Sequence, residues 1–530
     1  MTRTSNSNSS QAGSSNSTSN LLKWPLVATL ALAGLYLVFN IYAAGQLWWA
    51  LGLLVLLGSA IFVYLAKISF AYRYLYPGLA GMAIFVAFPL LYTVQIGFTN
   101  YSSSNLLSQE RVRSYLLEQT APDDAHLMSY SLHADGPQYL LALRPLSPMG
   151  ELGEVTFVSG PLALMNTQAP VRVSMSAPTA STHLAPALPL KEVLKHRDVL
   201  MSLVLSLPEG AASHGTDLHY LGVSEFGPLN RLWQTNPDGS LTQASDGAIY
   251  HTNGETGFFE NAATGERLQP GFKVFAGLKH YQRMVMDPDF RGPFFSIFLW
   301  TVSFSALTVL FTLLIGMALA VLLNWEALRF RTTYRTLLFL PYAVPGFISI
   351  LVFKGLFNQN FGEINAILDS LFGIKPAWFA DPALARSMLL IVNTWLGYPY
   401  IMVLCTGLLK AIPADLYEAS AIAGAGPLTN FFKITAPLIA KPLTPLLIGI
   451  FAFNFNNFVL IALLTDGRPD YLNTKVPAGQ TDILVSYTYR IAFQDSGQDF
   501  GLAAAVSTVI FLMVAAMSLI NLRLMRANSR

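Results

Sequence analysis

Asn393, Gly397 and Tyr400 follow one another at i, i+4 and i+7, the spacing that places side chains on one helix face. Phe453 and Asn457 repeat the i, i+4 step, and Asn454 and Asn457 stand at i, i+3. All six lie inside long apolar stretches. Such residues can do two different things. Amides both donate and accept, which suits the hydroxyls of a sugar, and Trp395, Tyr400 and Phe453 offer flat aromatic faces for its C–H surfaces. Asparagines among apolar helices also bond neighbouring helices to one another, and aromatics pack. The residues alone leave both open, and Asn456 is read as a helix-to-helix contact. Tyr342 stands between Pro341 and Pro345; Pro345 frees the Pro341 carbonyl and predicts a kink there. Other chemistry is missing. No Gly-Lys dipeptide occurs, so the chain has no Walker A phosphate loop. No metal-ligand cluster, Ser/His/Asp signature or cofactor motif is visible, and His251 and His280 read as surface residues. The expectation is a non-catalytic chain with no metal and no cofactor of its own.

The elements that would position these residues are membrane spans. Of 530 residues 53% are hydrophobic and 12% charged, half the charge of a soluble domain, at about 25%. The net charge of +2 is too balanced to suggest a nucleic-acid partner. The lone cysteine, Cys405, makes no intrachain disulfide and reads as a packing residue. A helix needs about 20 apolar residues to cross hydrocarbon. Eight runs free of Asp, Glu, Lys, Arg and His meet that description: 24–43, 47–66, 76–98, 293–323, 337–353, 388–409, 443–464 and 501–520. Lys67 and Arg73, Arg329, Arg331 and Arg335, Lys410, Lys433 and Lys441, and Arg523, Arg526 and Arg530 then share one side, which should be cytoplasmic. The Ser/Asn-rich start, residues 1–23, reads as a disordered cytoplasmic tail rather than a secretory signal.

The expected fold is therefore an all-α polytopic membrane protein with an inserted, mostly β periplasmic domain. Three spans (24–98) precede the polar insertion (99–292). A five-helix core (293–522) and a short cytoplasmic tail (523–530) follow. Within the insertion, Gln138–Leu143, Glu154–Val158 and Val171–Ser174 are strand-like, and Leu190–Leu200 is helix-like. Asn236-Pro237-Asp238-Gly239 and Asn253-Gly254 read as turns. A domain of this size can dock a partner or act as a spacer.

Between the sixth and seventh runs, residues 411–442 predict two short helices. Pro413 starts the first, Gly424 ends it, Pro427 starts the second and Pro437 stops it. Glu418-Ala419-Ser420, three residues, Gly424, nine residues and Ile434-Thr435-Ala436-Pro437 resemble the EAA loop of ABC importer permeases, Glu-Ala-Ala-x3-Gly-x9-Ile-x-Leu-Pro. Ser420, Ala423 and Ala436 depart from it, standing for alanine, the usual aspartate and leucine. Pro341–Pro345, Asn393–Tyr400 and Phe451–Phe458 resemble the maltose/maltodextrin permease family, MalF, as does the order of three spans, large loop and five spans.

That resemblance implies the ABC type I importer permease fold in a bacterial inner membrane, moving maltose or maltodextrins into the cytoplasm by alternating access. It implies a second homologous permease, a dimer of cytoplasmic ATP-binding subunits that hydrolyse the ATP, and a periplasmic sugar-binding protein. Glu418, Ala419, Ser420, Gly424 and Pro437 would couple to the ATPase, with Glu418 the anionic contact. Tyr342, Asn393, Trp395, Gly397, Tyr400, Phe453, Asn454 and Asn457 match positions that line the sugar pocket. Gly346 and Ile450 stand where the family has serines. Alternatives are a permease for another oligosaccharide or polyol, an ion-coupled secondary transporter, or a membrane sensor. Absence of acids and histidines within the spans speaks against proton coupling, and no stretch after Ile520 is long enough for a signalling domain.

Overall fold

The computed structural model describes residues 15–66, 70–146, 152–164, 170–179, 183–208, 217–325, 327–472, 474, 477–495 and 498–528. The helix starts expected from apolar runs move outward. Among the described residues, seven helices are long and apolar enough to cross a membrane, and one bent pair forms an eighth candidate. The chain divides into two units, 1–96 and 97–530. In the first, α1 (Ser15–Ala43) and α2 (Leu47–Leu65) form a hairpin whose turn uses Gly45 at φ +77°. The third helix, α3 (Phe70–Ile96), follows. Thus α1 reaches back into the segment read as disordered, while residues 1–14 and Lys67 lie outside the described residues.

The second unit opens with the polar insertion, which is mostly β. Seven strands close into a barrel, from Met128–Asp135 and Gln138–Pro145 round to Glu225–Gly227. One pairing is parallel, Val171–Ser176 against Leu203–Ser206, and needs a crossover. The helical segment expected near 190–200 supplies it. Leu132, Leu141, Leu143, Leu205 and Phe226 fill the barrel. The strand expected at Glu154–Val158 is shorter and later, Phe157–Ser159. Four further strands make an antiparallel meander. Two of its three turns fall at the expected sites, with Gly239 at φ +83° and Asn253 Oδ1 accepting from the Glu255 and Thr256 amides; the third, between them, uses Gly247 at φ +74°. Trp233, Tyr250, Phe259 and Phe272 pack there against Val112 and Leu116.

The helical core begins with α4 (Pro288–Asn324) and contains α7 (Pro382–Lys410). Between them lie α5 (Arg331–Phe339) and α6 (Gly346–Leu356). Both α4 and α7 start five or six residues before the apolar runs, because each begins Asp-Pro. Asp287 caps the Asp289 amide at 3.0 Å and Asp381 caps that of Leu384 at 2.9 Å, with Pro288 and Pro382 in the first turn. The two helices touch closely. A Cβ on Gly316 would lie 2.9 Å from the Met402 backbone nitrogen and 2.8 Å from Ile401 Cβ, so only glycine fits.

After α7 come α8 (Ala414–Ile422) and α9 (Pro427–Phe455). The expected stop at Pro437 is absent. A π turn over Phe431–Thr435 moves the pairing so that the Ala436 amide donates to the Phe431 carbonyl, and Pro437 enters without a donor to place. The helix instead breaks at Asn456–Asn457, before α10 (Phe458–Leu464). Asn456 Nδ2 donates back to the Ala452 carbonyl at 3.3 Å, the local competition that asparagine offers a helix. Phe453 and Asn457 therefore do not share one continuous helix. The core closes with α11 (Leu484–Phe493) and α12 (Phe500–Asn528), which carries the expected tail onward as helix.

Candidate functional site: a neutral cavity in the helical core

A cavity of about 750 Å³ opens where α4, the bent α5–α6 pair, α7, α9 and α10 meet. Two helix breaks shape its wall. Between α5 and α6 the axis turns by 86°. Pro345 cannot donate to Pro341, and its extended ψ of 129° redirects the chain. This is the kink expected beside Tyr342. The second break, at Asn456–Asn457, brings Asn457 and Leu460 onto the same wall as Phe453 and Asn454.

Seven of the eight residues proposed for sugar contact line this cavity: Tyr342, Asn393, Gly397, Tyr400, Phe453, Asn454 and Asn457. Gly346 and Ile450 line it too. Trp395 does not. Its ring meets Phe353 edge-on at 5.0 Å, outside the lining, because position 395 falls two residues off the face of Asn393 and Gly397. Thr308 and Thr312 join the lining without having been singled out. The signal was present: Thr301, Ser305, Thr308, Thr312 and Gly316 form a small-residue face along α4, buried against its neighbours.

The amides are already paired with one another. Asn393 Nδ2 donates to Asn454 Oδ1 at 2.7 Å and to Thr308 Oγ1 at 3.1 Å, while its Oδ1 accepts from Asn457 Nδ2 at 3.2 Å. Asn454 Nδ2 donates to the Ile450 carbonyl at 2.9 Å. Both readings of the asparagines thus describe the same group: it ties α4, α7 and α9 together and faces the cavity. Tyr342, Tyr400 and Phe453 are exposed on the wall, Phe453 by 71%. No Asp, Glu, Lys, Arg or His lines the cavity. A neutral, hydroxyl-rich solute fits such a wall; an ion would lack a partner.

The loop expected to contact an ATPase is the second site. Its first helix is α8, and Gly424 ends it at φ +75°, its amide donating to the Ala421 carbonyl at 3.0 Å. Glu418 and Ala419 are exposed and Ser420 is half-buried, bonded through its hydroxyl to Asn430 Oδ1. Tyr417 and Thr435 share a hydrogen bond of 2.9 Å across the two arms. Ile422, Leu428 and Phe432 are all more than half exposed. Exposed apolar side chains on a loop that also carries two exposed acids, Asp415 and Glu418, make a docking shape. Pro437 is exposed on α9 at the loop's end.

A third cluster escaped the sequence reading. Arg490 on α11 donates to Asp482 at 2.9 Å and Asp470 at 2.7 Å. Asp482 also accepts from Ser486 at 2.8 Å and the Gly479 amide at 2.7 Å. Burial pushes the Asp482 carboxyl up to about 6, against the pull of Arg490, Ser486 and Gly479. The cluster pins the loop between α10 and α11. Among the described residues no group of side chains could hold a metal ion.

Helical core, cavity and exposed loop together define a binding-protein-dependent inner-membrane permease, the membrane-spanning class of ABC importers. The profile of the binding-protein-dependent transport system inner membrane component matches residues 312–528. That of the maltose transport system permease protein MalF P2 domain matches 107–277, and that of the MalF N-terminal transmembrane helices 21–67. Maltose/maltodextrin transport system permease protein MalF of Escherichia coli K12 is 48% identical over 96% of this chain and 97% of its own. Those of Yersinia pestis and Photorhabdus laumondii are 47% and 49% identical, over 96% and 95% of this chain and 95% and 96% of theirs. The chain belongs to the MalF family of maltose/maltodextrin permeases. A chain of a bacterial alginate ABC transporter, solved with an alginate-bound periplasmic protein, is a more distant likeness: 19% identity, 48% of this chain and 84% of that one, TM-score 0.42. Permeases of this class work with a separate ATPase and a substrate-binding protein, so the chain is a non-catalytic subunit.

Proposed function

We propose that this chain carries maltose and maltodextrins from periplasm to cytoplasm, with Tyr342, Asn393, Gly397, Tyr400, Phe453, Asn454 and Asn457 as the sugar-facing wall. The uncharged cavity is the observation that carries this assignment. Its volume of about 750 Å³ falls within the roughly 300–1,000 Å³ of small-molecule sites. Tyr342, Tyr400 and Phe453 supply aromatic faces and hydroxyls, and the asparagines supply amides at its floor. The partners in this reading are a second homologous permease, a dimer of ATP-binding subunits on the Glu418 side and a periplasmic sugar-binding protein. The insertion then lies in the periplasm and docks or steadies the binding protein. Glu418, Ala419, Ser420 and Gly424 form the contact with the ATPase, together with Pro437 on the exposed start of α9. Closure of the ATPase pair would move the loop and turn the cavity from one side of the inner membrane to the other.

Radiolabelled maltose binding to the assembled complex, without the binding protein, tests the wall. Phe453→Ala removes the most exposed ring on it and should raise the Kd about tenfold or more, an apolar contact of about 1.5–3 kcal/mol. Unchanged binding in Phe453→Ala and in Asn457→Ala would place the sugar elsewhere.

A further inference from the structure

We infer that Tyr398 is a positioning residue for the sugar site, acting through the turn that carries Tyr342; this rests on the cavity assignment above. Tyr398 stands between two lining residues of α7, Gly397 and Tyr400, yet does not line the cavity itself. Its hydroxyl reaches across to the bent span and donates to the Leu338 carbonyl at 2.9 Å. That carbonyl needs an outside donor. In an α-helix the Tyr342 amide would serve it, but the chain tightens into a 3-10 turn over Leu340–Tyr342, which pairs each amide three residues back instead of four. Pro341, at the middle of the turn, has no amide to offer.

The consequence reaches the cavity in one further step. Phe339, next in sequence to the anchored carbonyl, stacks on the Tyr342 ring with centroids 5.3 Å apart and planes 25° apart. Tyr342 is 51% exposed on the wall, and its hydroxyl makes no hydrogen bond among the described residues. Its position is set by its own backbone, by Phe339 and, through Leu338, by Tyr398. The one hydroxyl therefore joins the α7 wall, with Gly397 and Tyr400, to the facing wall of the bent span. Among the described residues no other side-chain hydrogen bond joins that turn to α7.

Maltose affinity of the assembled complex, in a double-mutant cycle, tests the inference. Tyr398→Phe removes only the hydroxyl and should raise the Kd about two- to tenfold, the net worth of one such bond. On a Tyr342→Ala background the same change should add nothing, since the ring it positions is gone. A purely structural role would lower affinity equally in both backgrounds, and that additivity would overturn the inference, as would an unchanged Kd in Tyr398→Phe. If Tyr342→Ala itself leaves the Kd unchanged, the cavity assignment falls first. Should Tyr398→Phe assemble poorly, thiol labelling of Gly346→Cys supplies a second measurement in native membranes: its rate should change when the Tyr398 hydroxyl is lost, and an unchanged rate would count against the clamp.

Discussion

Asn393 has both its donors and its acceptor engaged by protein, on Thr308, Asn454 and Asn457. A sugar hydroxyl reaching it must replace one of those partners, whereas Tyr342 and Tyr400 offer hydroxyls that no described residue engages. Aromatic wall and tyrosine hydroxyls are thus the first contacts open to a sugar, and the amides are the deeper layer. A different residue-scale effect belongs to Asp482. Its folded pKa, about 6, lies above its ordinary 3.8. A carboxyl raised by folding stabilises the fold below its unfolded value and loses that contribution as pH rises through its folded value. Thermal unfolding of the complex should therefore show a fall in stability as pH rises through about 6, flattened in Asp482→Asn. Arg490→Ala should be worse at neutral pH, by about 3–5 kcal/mol, because it leaves the buried acid unpaired. Equal losses in the two variants would contradict this.

Helix breaks are the elements that make the cavity, and their legibility differed. Pro345 announced its bend, because a proline four residues after an open carbonyl has one mechanical outcome. The break at Asn456–Asn457 stayed hidden, since asparagines break a helix only where their side chains compete with its backbone. Pro437 misled in the opposite direction, as the π turn before it lets the helix continue. Trp395 was named for its aromatic face and for the motif rather than for its helix face, and its ring lies against Phe353 outside the lining. Thr308 was missed because a small-residue stripe reads as packing, which it also is. Packing yields its own prediction at Gly316, where α4 and α7 meet. Gly316→Leu should destabilise the core by about 1–3 kcal/mol through overpacking, seen as a lower thermal midpoint of the purified complex. Gly346→Ser, set in open space, should leave that midpoint in place.

For the whole molecule, spans, insertion and the first short helix of the loop were legible because each is a long or punctuated pattern. The barrel closure was not, since it depends on the parallel pairing of Val171–Ser176 with Leu203–Ser206 across a crossover. Topology follows from the orientation of the arginine- and lysine-bearing loops. Reporter fusions at Asp238 and Gly424 should report opposite compartments; one compartment for both would undo the arrangement.

The central claim is that one chain holds a sugar wall and a separate coupling loop. Sugar uptake and binding-protein-stimulated ATP hydrolysis, measured on the same proteoliposomes with assembly verified, test it most directly. Asn457→Ala should lose uptake and keep stimulated hydrolysis, because it touches only the cavity wall. Glu418→Lys, which reverses an exposed charge on α8, should lose both together. Loss of both activities in both variants, with assembly intact, or normal uptake in Glu418→Lys, would contradict the account.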